Sequence, residues 1–235
     1  MGRVALIIAA AGCGARFSRG AAADKLWMEL DGEPLFLSSL RRLCPAVTPG
    51  RLVLAANPDR IGDFEEAVRR AGLPAPVRIV PGGTTRIESV SHALDALEGE
   101  DGLVGIHDAA RPLADGELLL RLCAEAERFS PAGVVPAARI SDTVKKIDPS
   151  GAVVGDVNRD EIAAVGTPQV FPLAELRRAV ALMRESGRAG YTDDAGIYRA
   201  AGFPVRVLFW EKANFKVTWP EDLERVRLFS TSRRA

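Results

Sequence analysis

Arg3-Val4-Ala5-Leu6-Ile7-Ile8-Ala9 runs into Ala10-Ala11-Gly12-Cys13-Gly14-Ala15-Arg16-Phe17, and the reading of that junction decides the fold. A secretory leader also begins with a charge and an apolar run, but here the run passes into a glycine-rich loop and then charged sequence. It therefore reads as a buried β-strand leaving a sheet. Outward from it, helical and strand patterns alternate. Helices are expected over Pro34 to Leu43, Pro58 to Ala71 and Asp115 to Phe129, and from PGGTTRIESV through Leu97. Strands are expected at Arg51 to Ala56, Val77 to Val80, Leu103 to Ile106 and Gly133 to Ala137. That alternation implies an α/β fold: a Rossmann-like, mostly parallel sheet with helices on both faces. Ligands of such sheets sit at the carboxyl ends of the strands. The Gly12 loop, PGGTTRIES after the third strand and HDAARP after the fourth all fall there.

After Ala137 the rhythm changes. Ser141 to Ile147 and Ala152 to Val157 flank Asp148-Pro149-Ser150-Gly151, a hairpin with a turn signal. It has few large apolar residues, and an isolated hairpin is marginal in water. It is expected to be an arm for self-association. Then come TPQVFP, a helix over Leu173 to Ser186, a strand at Val205 to Trp210 and a last helix from Pro220. No repeat or linker interrupts residues 1–235, so one domain is expected, with a β-arm at about 138–160.

With 31 basic and 31 acidic side chains the formal charge is 0, which argues against a bulk nucleic-acid binder. The three scattered cysteines make no disulfide framework and have no metal-ligand spacing. No apolar run approaches the ~18 residues of a membrane span. A cytoplasmic protein without nucleic-acid or membrane partners is expected. Only five of the basic residues are lysines, so each is worth attention.

The Gly12 loop lacks the third glycine of a dinucleotide fingerprint, since Phe17 stands there, and it fails the Walker pattern. Gly12, Gly14, Arg16 and Lys25 could cradle and neutralise a polyphosphate, or could form a plain strand-exit turn with two surface cations. Gly83, Arg86 and Ser89 could line a nucleotide pocket, but Thr84 or Thr85 with Glu88 equally spells a helix cap. Asp108 at a strand's carboxyl end is a usual place for a carboxylate holding Mg²⁺ on a substrate phosphate, although Arg111 could pair with it. His107 and His92 read as structural. Lys216, in the strand-like alternation 214–218, could aim its amine into a cleft. Asp193-Asp194 could cap a helix from Ala195. Hydrolase and redox motifs such as G-x-S-x-G and C-x-x-C do not occur.

Ala9-Ala10-Ala11-Gly12-x-Gly14-x-Arg16 with Asp24-Lys25 resembles the signature loop of sugar-type nucleotidyltransferases. Later motifs follow in the order found in the 2-C-methyl-D-erythritol 4-phosphate cytidylyltransferase family. They are Gly82-Gly83-x-x-Arg86-x-x-Ser89-Val90, His107 to Pro112, Asp142-Thr143-Val144-Lys145, Arg159, Thr167-Pro168-Gln169, Thr192 to Ala195 and Lys216 to Leu223. The resemblance implies CMP transfer from CTP to methylerythritol phosphate with release of pyrophosphate, Mg²⁺ as cofactor, and a homodimer built by the arm. It implies that Ala10, Ala11, Gly12, Gly14, Gly83, Ser89, Asp108 and Ala109 bind the nucleotide, and that Asp108 is the metal ligand. Arg16 and Lys25 would stabilise the transition state. Arg159 and Lys216 would position the acceptor phosphate beside Thr143 and Thr167. Ala9, Leu26 and Thr84 depart from the family's usual residues. The competing expectations are a ribitol-5-phosphate cytidylyltransferase and a non-catalytic CTP-binding regulator, the latter disfavoured because Arg16 and Lys25 are present. The chain ends soon after its last helix, so no fused pathway enzyme is expected.

Overall fold

The structure, a computed structural model, describes residues 2–12, 24–99, 101–187 and 190–231; Cys13, Gly14 and Arg16 lie outside these. Strand β1 (Val4–Ala10) is followed by a short hairpin, β2 (Glu29–Leu30) and β3 (Glu33–Pro34), and by helix α1 (Leu35–Leu43). Next come β4 (Leu52–Ala56), α2 (Ile61–Ala71), β5 (Arg78–Pro81), α3 (Arg86–Asp95), β6 (Leu103–Asp108), α4 (Gly116–Arg128) and β7 (Gly133–Ala138). The hairpin β8 (Lys145–Ile147) and β9 (Val153–Asp156) forms its own two-stranded sheet. The chain then runs through β10 (Ala164–Val165), β11 (Gln169–Pro172), α5 (Leu173–Ser186), α6 (Asp194–Ala200), β12 (Val205–Phe209) and α7 (Pro220–Thr231).

The main sheet runs β7–β11–β6–β1–β4–β5, and β7 also pairs with β12 and β10. The pairs β1/β4, β1/β6, β4/β5 and β7/β12 are parallel. Strands β10 and β11 are antiparallel to their neighbours, so TPQVFP supplies a strand that its short, proline-flanked pattern did not announce.

Side chains of β1 alternate between two cores, as the two-residue period of a strand requires. Val4, Leu6, Ile8 and Ala10 pack with Phe36, Phe64 and Leu122 on one face. Ala5 and Ile7 pack with Leu94, Leu173 and Tyr198 on the other. The helices start and stop where local chemistry provides caps. Asp115 accepts the Leu118 N–H at 3.1 Å to open α4, and Gly72 at φ 55° closes α2 in the left-handed conformation that glycine tolerates.

Register then assembles the site. Ala10 lies opposite Ala56, Ala56 opposite Pro81, and Ala9 opposite Asp108. The loops after β1, β5 and β6 therefore leave the sheet side by side. A third cluster of Leu30, Leu35, Leu113, Val217, Leu223 and Val226 seats α7 and the segment before it against this edge. That segment, 214–218, is not a strand as its alternation suggested. It is irregular chain tied down by the Val217 N–H on the Ala110 carbonyl at 2.8 Å.

Candidate active site

Two glycines hold the β5–α3 loop against β1. A Cβ on Gly82 would stand 2.2 Å from the Ala11 Cβ, and one on Gly83 would stand 2.3 Å from the Glu88 Cβ. Ser89 Oγ accepts the Gly83 N–H at 3.0 Å and donates to the Thr85 carbonyl at 2.9 Å. Thr85 and Glu88 form a reciprocal capping box, and Glu88 also takes the Thr84 N–H and hydroxyl at 2.8 and 2.6 Å. The capping pattern and the pocket pattern are thus one structure: the cap fixes the loop that lines the pocket.

Lys25 is brought to the same cavity from the opposite side. Asp24 opens a single helical turn over Lys25–Trp27 by accepting the Leu26 N–H at 3.1 Å. Arg60 bonds the other Asp24 oxygen at 3.2 Å and lies over the Trp27 ring at 4.1 Å. Trp27 packs edge-on against Phe64, with ring centroids 5.0 Å apart. The turn that carries Lys25 is thereby anchored, and the Lys25 Nζ donates to the Val217 carbonyl at 3.2 Å. The resulting cavity, about 360 Å³, is lined by Ala11, Gly12, Lys25, Gly83, Ser89 and Asp108 among others.

Asp108 is the electrostatic centre. Its Oδ1 accepts from Arg86 Nε at 2.9 Å and its Oδ2 from Lys216 Nζ at 2.7 Å. Arg111 Nε stands 3.9 Å from Oδ2, while its Nη1 donates to the Asn214 carbonyl at 2.8 Å, so the anticipated Arg111–Asp108 pair is only a flanking contact. Burial by itself would raise the Asp108 carboxyl, but the charges of Arg86 and Lys216 outweigh it and hold the group well below the usual carboxylate range. Arg86 Nη1 also donates to the buried Asp194 at 2.7 Å.

A second cavity of about 320 Å³ opens on the other side of this cluster. Arg86, Asp108 and Lys216 line both, so they form the wall between them. Thr167 lines the second cavity, and its Oγ1 accepts the Asp108 N–H at 3.0 Å. That hydroxyl lies 3.1 Å from His107 Nδ1, and His107 Nε2 lies 3.2 Å from the Arg111 carbonyl. A carbonyl can only accept, so Nε2 carries the proton and Nδ1 accepts from Thr167. Burial pushes this imidazole down to about 4, which keeps it neutral and structural.

Lys25, Gly12, Gly83, Ser89, Asp108, Thr167 and Lys216 therefore gather at one edge, together with Ala11. Ala10 and Ala109 do not reach a cavity wall. Both are buried in the core, and Ala109 spends its N–H on the Ala9 carbonyl and its carbonyl on the Ser39 hydroxyl; Ala110 lines the cavity instead. Thr143 and Arg159 are exposed on the arm region, where Arg159 Nη1 donates to the Ser141 carbonyl at 3.0 Å, and neither lines these cavities. Gly14 and Arg16 lie outside the described residues. Arg86, which the helix-cap reading left aside, proves central. Asp194 and Gln169 were missed as site neighbours because their partners are distant in the chain. Of the described cysteines, Cys44 and Cys123 are buried, and burial pushes both thiols up, Cys123 to about 12, so neither is a thiolate nucleophile.

Among the described residues no group of three or more His, Cys, Asp or Glu side chains forms a metal cage. Asp108 is a single ionised carboxylate on a cavity wall; each of its oxygens already accepts one N–H, from Arg86 and from Lys216, and each keeps a second acceptor position. That fits Mg²⁺, which commonly takes one or two carboxylates and completes its shell with substrate phosphates and water.

The family model described as "IspD: 2-C-methyl-D-erythritol 4-phosphate cytidylyltransferase" matches residues 4–231. A 2-C-methyl-D-erythritol 4-phosphate cytidylyltransferase of Symbiobacterium thermophilum is 39% identical over 228 residues, covering 96% of this chain and 92% of its own. A bifunctional enzyme IspD/IspF of Chelativorans is 36% identical over 94% of this chain and 53% of its own, so the chain spans about half the length of that relative. The crystal structure of the Thermus thermophilus cytidylyltransferase superposes with a TM-score of 0.76 at 28% identity, covering 97% of this chain and 99% of that one. The crystal structure of 4-diphosphocytidyl-2C-methyl-D-erythritol synthase from Anaerococcus prevotii gives 0.80 at 26% identity, covering 97% and 98%. Sequence motifs, sheet order and these likenesses agree, and the chain belongs to the 2-C-methyl-D-erythritol 4-phosphate cytidylyltransferase family.

Proposed function

We propose that this chain transfers CMP from CTP to 2-C-methyl-D-erythritol 4-phosphate, releasing pyrophosphate, as a step of non-mevalonate isoprenoid precursor synthesis. The observation that carries the reading is the shared wall: Arg86, Asp108 and Lys216 separate a cavity lined by glycines and Lys25 from a second one lined by Thr167. The first accepts the nucleotide, through Ala11, Gly12, Gly83 and Ser89, with Ala110 at the wall where Ala109 was expected. The second accepts the polyol phosphate.

An acceptor phosphate oxygen attacks the α-phosphorus of CTP in line, and pyrophosphate leaves. The phosphate monoester is already ionised near neutral pH, so no side-chain nucleophile or strong base is required. The chain's task is to bring two anions together and to hold charge on the α-phosphate oxygens. Lys25 and Arg16 stabilise that charge. Lys216 and Arg159 hold the acceptor phosphate, with Thr143 and Thr167 beside it. Asp108 would hold Mg²⁺, which supplies Lewis-acid neutralisation of the polyphosphate when bound.

Residues 1–235 act as one domain, with the arm at about 138–160 joining two copies. What supports a homodimer is the arm itself: Ile147, Val153 and Val154 are exposed apolar residues, and Thr143 and Arg159 sit there rather than at the cavities of their own chain. Each acceptor site then uses both subunits. No helix among the described residues is long and apolar enough to cross a membrane.

Pyrophosphate release with CTP and Mg²⁺ tests the function, comparing methylerythritol phosphate with ribitol 5-phosphate. Release with methylerythritol phosphate is expected. Release with ribitol phosphate alone would reassign the acceptor, and CTP binding without release would leave a regulator.

A further inference from the structure

Arg86 occupies the first position of α3 and reaches across the molecule. Its Nε holds Asp108 Oδ1 at 2.9 Å, at the end of β6, and its Nη1 holds Asp194 Oδ2 at 2.7 Å, at the start of α6. Asp194 is buried and its residue is 1% exposed. Its own helix is fixed in turn. Asp193 accepts the Gly196 N–H at 2.9 Å, and Gln169 accepts the Ala195 N–H at 3.0 Å while donating to Asp193 at 2.8 Å. A cation held between two carboxylates cannot swing toward one without abandoning the other. Asp108 is thereby fixed in rotation, and only its Oδ2 is turned to Lys216, 2.7 Å away.

We propose that Arg86 and Asp194 are positioning residues for the acceptor end of the site: Asp194 anchors Arg86, Arg86 sets the rotation of Asp108, and Asp108 sets where the Lys216 ammonium stands. This deepens the reading above, since it rests on Lys216 holding the acceptor phosphate. The chain of contacts is polar, specific in geometry and continuous from α6 to the cavity wall. A pair kept only for stability would not need this reach, because a buried ion pair is often replaced by apolar side chains of similar volume without loss. Removing one member alone leaves the other charge buried, so the pair has to be removed together.

The decisive variant is therefore Arg86→Met with Asp194→Leu, compared with Arg86→Lys and with Lys216→Ala. The double variant is expected to melt within a few degrees of wild type. Its kcat/KM for the acceptor is expected to fall about 10–100-fold, the usual cost of losing a group that orients a functional side chain. The KM for the acceptor should rise at least about threefold more than the KM for CTP, since Lys216 depends on Asp108 for its place while Gly83 and Ser89 keep the nucleotide loop's own cap; some rise in the KM for CTP is expected because Arg86 and Asp108 also line that cavity. Arg86→Lys, which reaches only one carboxylate, is expected to recover part of the loss. Wild-type kinetics in a stable double variant would overturn the proposal and leave a structural pair. An equal rise of both KM values would also overturn it, placing Arg86 in the nucleotide loop. Should the double variant fail to fold, Asp194→Asn keeps the shape and removes the anchor, and the same split in KM is expected of it. Titration with inorganic phosphate, followed by calorimetry, separates this proposal from the functional reading. If wild type does not turn over but Lys216→Ala and the double variant both weaken phosphate binding, the positioning role stands and the function fails. If Lys216→Ala weakens binding and the double variant does not, the positioning role fails.

Discussion

Around Asp108, 8% exposed, three cations from three separate stretches of chain converge on one carboxylate, whereas on the β8–β9 hairpin Ile147, Val153 and Val154 stand 66%, 63% and 62% exposed. The first region spends buried charge, which is stable only where partners meet it. The second spends exposed apolar surface, which folding of a single subunit does not cover. Asp148 at the hairpin turn accepts from Ser150 and Ala152, so the arm's shape is set locally even though its faces are not covered. The difference separates what the chain completes by itself from what, under the proposed homodimer, a second copy would cover. The charge cluster places its groups by long-range packing of β6, α3 and the 214–218 segment, while the arm places Thr143 and Arg159 by extending away from that packing.

The contrast can be broken most forcefully at Lys25. It contributes charge to the completed side of the comparison, so Lys25→Ala is expected to cost on the order of 10²–10³ in kcat while the chain stays folded, as for other preorganised charge stabilisers. Turnover of that variant at the wild-type rate, with unchanged melting, would remove Lys25 from the site.

A nearly comparable effect is expected on stability from His107. Its folded value of about 4 lies below the ordinary 6.5, so between these values the unfolded chain binds the proton and the folded chain does not. The stability it protects is therefore fully present above about pH 6.5 and is lost as pH falls toward 4, to a total of about 3 kcal/mol. Asp108, held low, adds a loss of the same sign at still lower pH, whereas Asp194, which burial raises against the charge of Arg86, works the other way. The readout is thus the difference between wild type and His107→Gln in urea unfolding at pH 7 and pH 4.5. The variant should show the flatter pH dependence, and parallel curves would refute the assignment.

On the arm, Ile147→Glu with Val153→Glu is expected to weaken self-association at least tenfold, about 1.4 kcal/mol, with little change in the fold of the isolated chain. Sedimentation equilibrium reads the association. Specific activity should fall on dilution in parallel, since Thr143 and Arg159 then lose the neighbouring subunit. Unchanged association would assign the arm's apolar face to something other than a second copy. The smallest effect belongs to a local cap far from both regions: Asp115→Ala should cost about 1 kcal/mol in denaturant unfolding and leave both KM values alone.

Much of this protein was legible from residue order because the relevant forces act over short distances along the chain. The apolar run before Gly12 is a strand. The Leu173 to Ser186 helix has the boundaries its periodicity suggests, and the Thr85–Glu88 box and the Asp148 turn form where their spacing says. The carboxyl-edge location of the Gly12, Gly83 and Asp108 loops follows from alternating strands and helices, so the candidate residues could be named before their neighbours were known. Tertiary structure decided the rest. The strand Gln169–Pro172 is stabilised by lying between β6 and β7 and carries little signal of its own, and 214–218 looks like a strand but is held as irregular chain by Ala110. Ala109 and Ala110 are indistinguishable in sequence and both are buried; the path of the chain after β6 decides that it is Ala110 that also borders the cavity. Arg86 reads as a possible pocket residue beside a helix cap; that it bridges Asp108, 22 residues on, and Asp194, 108 residues on, is decided only when folding brings them to either side of it. A charge's role depends on which opposite charges surround it after folding, and local pattern carries no record of contacts made across so much chain.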